Sequence, residues 1–120
     1  MKRFALSITL LLALWSGSGS AEPNKVEYKG KPAARMVYYS GQVQGVGFRA
    51  TAERIAKDFP VTGWVKNLAD GRVQLLAEGP SDAIEAFLKA VRAHWKESIK
   101  KEEAQEQPVS GKYKEFKAMF

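Results

Sequence analysis

The stretch Gly41-Gln42-Val43-Gln44-Gly45-Val46-Gly47-Phe48-Arg49 sets three glycines around a short turn. It delivers an arginine where the following pattern predicts the first turn of a helix. Glycine takes positive φ and carries no Cβ, so backbone N–H groups on such a turn can converge on a small concave site. Converging N–H groups beside a helix N-terminus hold anions, phosphates above all. Arg49 adds a planar, permanently charged fork that matches phosphoryl oxygens two at a time. The expected chemistry is an oxyanion cradle: the backbone N–H groups of Gln44, Gly45, Val46, Gly47 and Phe48, with the Arg49 guanidinium, around a phosphoryl group.

Better-known phosphate loops do not fit. No Gly-Lys-Ser/Thr follows, as a Walker loop requires. No acidic residue closes a second strand at the distance of a dinucleotide fingerprint. Gly45-Val46-Gly47-Phe48 lacks the preceding basic residue and the strand aromatics of an RNA-recognition motif, because Gln44 precedes it and a helical pattern follows. Asn67 stands at the end of a predicted strand and, taken alone, reads as a turn former bonding its own backbone. His94 reads as a helix-end residue, Asp70 as a turn residue and Glu78 as a strand-end residue. No His or carboxylate cluster has metal-ligand spacing, so neither a metal nor a cofactor is expected.

A second block, Gly63-Trp64-Val65-Lys66-Asn67-Leu68-Ala69-Asp70-Gly71-Arg72-Val73, follows the glycine turn. The two blocks together resemble the signature of acylphosphatases, and Ala77-Glu78-Gly79-Pro80 running into an amphipathic helix is similar to that family as well. The resemblance runs from about Met36 to Trp95. It implies a ferredoxin-like fold and the hydrolysis of small-molecule acyl phosphates by in-line attack of water, without a metal. It also implies that Arg49 binds the phosphoryl group and that Asn67 orients the attacking water. A carboxylate leaving group departs without a proton donor, which agrees with the lack of a general acid near the turn. The chain departs from the family pattern at Gln42, where a basic residue is common, and at Gln74, where glutamate is usual. The run Lys96 to Glu103 departs further, standing in place of a Gly-Pro turn and a small apolar strand.

The elements that position these residues follow from periodicity. Arg35 to Ser40 alternates and reads as the first strand. Phe48, Ala52, Ile55, Ala56 and Phe59 share one face of a helix that Pro60 ends. Val61 to Asn67 is a second strand; Asp70-Gly71 is a turn, and Val73, Leu75 and Ala77 alternate along a third. Ser81 is the expected N-cap of a second helix, with Asp82 in its first turn. Ile84, Phe87, Leu88, Val91 and Trp95 form its buried stripe. Glu97 to Gln107 is charged throughout and is expected at most as an extra edge strand, whereas Lys112 to Phe120 recovers an alternation and reads as the last strand. The order is β-α-β-β-α-β. The expected fold class is α+β, a ferredoxin-like sandwich with two helices on one face of an antiparallel sheet.

Met1-Lys2-Arg3, an apolar run to Trp15 and the small residues Ser16 to Ala21 read as a secretory signal peptide over 1–21. The run is too short to span a bilayer, so no membrane anchor is expected after cleavage. Residues 22–34, rich in Lys, Gly and Pro, read as a flexible arm, and 35–120 as the domain. The chain has no cysteine, which excludes disulfides and thiolate metal sites. Its net charge of +6 becomes +4 when Lys2 and Arg3 leave with the leader, an ordinary solvated surface rather than a nucleic-acid footprint. The protein is expected to be exported, periplasmic or secreted, and monomeric, with no nucleic-acid partner. An alternative is a non-enzymatic anion-binding or protein-interaction module on the same fold.

Overall fold

The computed structural model describes residues 26–120. The expected leader and the first residues of the expected arm lie outside them. Strand β1 is Pro32–Gly41 and helix α1 is Phe48–Ala56. Strands β2 and β3 are Thr62–Asn67 and Val73–Pro80, α2 is Ser81–His94, β4 is Ile99–Gln107 and β5 is Phe116–Ala118. They form one five-stranded sheet in the order β4-β1-β3-β2-β5. β1 pairs antiparallel with β3 and β4, and β3 pairs antiparallel with β2. Each helix thus carries the chain past one intervening strand, which is the ferredoxin-like arrangement expected.

The predicted stripes meet in one core. Phe48, Ala52 and Ala56 of α1 and Ile84, Phe87, Leu88 and Val91 of α2 are buried against Val37, Tyr39, Val65, Val73 and Leu75 of the sheet. Ile55, Phe59 and Trp95 pack at its margin. α1 ends at Ala56, and three tight turns carry the chain to Pro60.

Four features differ from the sequence reading. The sheet is mixed, because β5 runs parallel to β2, with Gly63 opposite Phe116 and Val65 opposite Ala118. The charged segment is no extra but the regular fourth strand of the ferredoxin-like set, and the added edge strand is β5. Both faces of β4 are largely solvated, so its alternation carries no apolar signal; backbone pairing with β1 holds it, with Glu102 bound twice to Arg92 at 2.9 Å. β1 begins at Pro32, so residues 32–34 belong to the domain and not to the arm. Ala34 is fully buried, and the Lys29 and Gly30 N–H groups each donate to the Asp82 carboxylate at 2.9 Å. Small alanines pack there without the β-branched signature that marks a strand. Ser81 is the first residue of α2 rather than its cap, and Asp82 supplies the carboxylate at that helix end.

Candidate active site

The turn between β1 and α1 has the backbone that its glycines foretold. Gly45 and Gly47 hold φ of 76° and 90°, and a Cβ at either would meet nothing within 4 Å. The angle, not the space, requires glycine there. Gly41 is the opposite case, since a Cβ would lie 2.3 Å from the Ser98 carbonyl where β4 begins. Gly47 caps α1 with no side chain, and no acidic residue occupies the first helical turn. The N–H groups of Phe48, Arg49 and Ala50 therefore lack intrahelical acceptors, and the positive end of the helix dipole is not neutralised. Among the described residues, no backbone N–H from Val43 to Ala50 donates to a backbone acceptor.

Contacts from three residues brace the turn. The buried Phe48 ring lies 5.0 Å from Tyr39 and stacks on Trp95 at 5.3 Å. The Gln42 N–H donates to Ser98 O at 2.9 Å. The Gln44 Nε2 donates to Leu68 O and Arg72 O at 2.8 and 2.9 Å. This last pair ties the turn to the β2–β3 connection, directly after Asn67. That connection is itself closed by Leu68 N–H to Arg72 O and by Asp70, which accepts from Arg72 N and Nε.

Arg49 and Asn67, 18 positions apart in sequence, line one cavity of about 90 Å³ with Gly45, Gly47, Phe48 and Phe120. Asn67 Oδ1 is buried and, among the described residues, accepts no hydrogen bond. An orphaned buried acceptor is costly and calls for an explanation. The Arg49 Nη1 donates to Met119 O at 2.9 Å, and its Cζ lies 4.2 Å from the Phe120 ring centroid. Met119 N–H donates in turn to Val65 O at 2.8 Å. The guanidinium is thus aimed by residues 71 positions and fewer downstream. Val43 and Ala50 complete the lining.

Five of the seven residues expected at the site meet there: Arg49, Asn67, Gly45, Gly47 and Phe48. Gln44 and Val46 do not line the cavity. Gln44 acts through its side chain as the brace just described, and Val46 is an exposed residue of the turn. Met119 and Phe120 escaped the sequence reading. The alternation Phe116, Ala118, Phe120 was visible, but the parallel pairing that carries it to the cavity was not.

A second, larger cavity of about 730 Å³ lies between α2 and β4. Lys89, Arg92, Lys96, Lys100 and Lys101 surround an apolar floor that includes Ile99. Glu102, on its wall, is neutralised by Arg92. Among the described residues, no glycine turn and no helix N-terminus opens into it.

A family profile described as acylphosphatase matches residues 35–118. Over 52 residues the chain is 54% identical to an acylphosphatase of Methanospirillum hungatei JF-1, covering 43% of this chain and 57% of that protein. It is 56% identical over 52 residues to an acylphosphatase of Salinibacter ruber, covering 43% and 55%. The chain thus spans a little over half the length of these curated relatives. The crystal structure of acylphosphatase from Bacillus subtilis matches with a TM-score of 0.65 and 31% identity, covering 73% of this chain and 99% of that one.

Proposed function

The chain belongs to the acylphosphatase family, and we propose that it hydrolyses the carboxyl–phosphate bond of small-molecule acyl phosphates. The observation that carries this reading is the meeting of Arg49, Asn67 and the unpaired N-terminal turn of α1 in one cavity. About 90 Å³ is roughly three water volumes, a fit for a phosphoryl group.

In this reading the Arg49 guanidinium and the amides at the start of α1 hold the phosphoryl oxygens. Both are in place before substrate arrives, so little reorganisation is left for the reaction. The Asn67 side-chain amide holds a water on the side of phosphorus away from the leaving carboxylate. The water oxygen bonds to phosphorus as the bond from phosphorus to the acyl oxygen breaks, and the carboxylate leaves with the electron pair. The proton of the water passes to a phosphoryl oxygen, giving inorganic phosphate and a free carboxylate. Positioning and fixed charge supply the acceleration, as phosphoryl transfer permits. No metal and no cofactor take part in this scheme.

The same proposal has a signal peptide over 1–21, export to the periplasm or beyond, and a monomer without a nucleic-acid partner. The deciding experiment is hydrolysis of acetyl phosphate by the protein with chelator present, beside Arg49→Ala. Turnover that survives the chelator and is lost in the variant is expected. A folded protein that binds phosphate without turnover would instead make it an anion-binding module.

A further inference from the structure

We propose that Phe120 is the acyl-group contact of this site and favours acyl phosphates whose acyl group is flat and apolar; this rests on the acyl phosphate reading above. The cavity is small, about 90 Å³, and open to solvent at its mouth. With the phosphoryl group on the cradle, the acyl group lies at the mouth. Phe120 lines the cavity, yet 89% of its surface is exposed. Its ring is therefore a lip rather than a wall, with most of its apolar area available to a ligand.

The lip is also pre-positioned. Ala118 N–H donates to Glu53 Oε1 at 3.2 Å, and Met119 is bonded on both sides, to Val65 O and from Arg49 Nη1. The guanidinium lies 4.2 Å from the ring centroid, a cation–π contact that orients the ring while leaving the rest of it open. A contact ordered beforehand loses less freedom on binding than a floppy one. Flat apolar groups gain most from such a ring, by offset stacking or edge contact. The methyl of an acetyl group covers far less of it.

Steady-state kinetics of the full chain with benzoyl phosphate and acetyl phosphate tests this. In the wild type, KM for benzoyl phosphate is expected below that for acetyl phosphate. Phe120→Ala should raise the benzoyl KM about five- to tenfold and erode the preference, while Phe120→Tyr retains it. Were Phe120 important solely for holding Arg49, Phe120→Ala would lower kcat for both substrates by one factor and leave their kcat/KM ratio unchanged. That result would overturn the assignment and spare the hydrolase reading. Failure of the wild type to turn over either substrate would overturn the hydrolase reading, and the assignment with it.

Discussion

The glycine cradle and the groove between α2 and β4 both surround a cavity with positive charge, yet they are made of different parts. The cradle has about one-eighth of the groove's volume and one arginine. Its other donors are backbone amides whose directions are set by Gly45, Gly47 and the buried Phe48. The groove has five cations, four of them lysines on long flexible stems. Ordering one such side chain costs on the order of 2 kcal/mol, and the field of exposed lysines is screened within about 8 Å at physiological salt. The cradle meets neither cost, because its amides are already fixed and Arg49 is already aimed by Met119 and Phe120. What separates the two regions is preorganisation; size and number of charges favour the groove.

The largest effect expected is therefore at one residue of the small cavity. Arg49→Ala should lower kcat/KM for acetyl phosphate about 1,000-fold with the circular dichroism spectrum unchanged. A loss of tenfold or less would mean that the amides suffice. Asn67→Ala should follow with a fall of about 100-fold in kcat and little change in KM, because its proposed partner is the attacking water. Gln44→Ala leaves the Leu68 and Arg72 carbonyls without that donor and should cost about 1–2 kcal/mol in urea unfolding. A several-fold rise in KM should accompany it; unchanged kinetics would show that the cradle does not depend on its brace.

Glu78 offers a test away from both cavities. Burial alone would raise its pKa, but hydrogen bonds from Ser110 Oγ, Ser110 N and Gly111 N, with the Lys112 charge, outweigh burial and hold it below the usual carboxylate range. A carboxylate with a lowered native pKa adds stability that is complete above its unfolded value and is lost as pH falls through the native one. Below about pH 4.5, then, unfolding free energy should fall with acidification in the wild type, and less steeply in Glu78→Gln. Parallel curves would remove Glu78 from the acid response. The smallest effect belongs to the groove. Reversing Lys89, Lys96 and Lys100 together to Glu should change kcat/KM less than about twofold at 0.15 M salt. A tenfold loss would make the groove part of the route to the site.

How much was legible in advance depends on the range of the interaction. Gly45, Gly47 and Arg49 state a turn and a charge within five residues, so local geometry alone predicts them. Phe48, Ile84, Phe87 and Val91 announce buried faces through helical spacing, because a helix one side of which meets a core must be apolar on that side. β4 had no such voice. An edge strand with solvated faces needs only backbone pairing, and backbone groups are the same in every residue. The role proposed for Asn67 rests on resemblance, since its type and position alone suit a simple turn.

By itself the sequence determined the order of the elements, the conformation of the glycine turn and the two apolar faces that fold over the sheet. Tertiary structure decided the rest of the site: β5 lies parallel to β2, so Met119 O and the Phe120 ring reach Arg49, and Gln44 spans to the β2–β3 connection. The reason is the same for each. Periodicity and turn chemistry report what a residue does to its neighbours in the chain, whereas a partner some 70 positions away is chosen by which strand pairs with which, and that is settled when the whole sheet assembles.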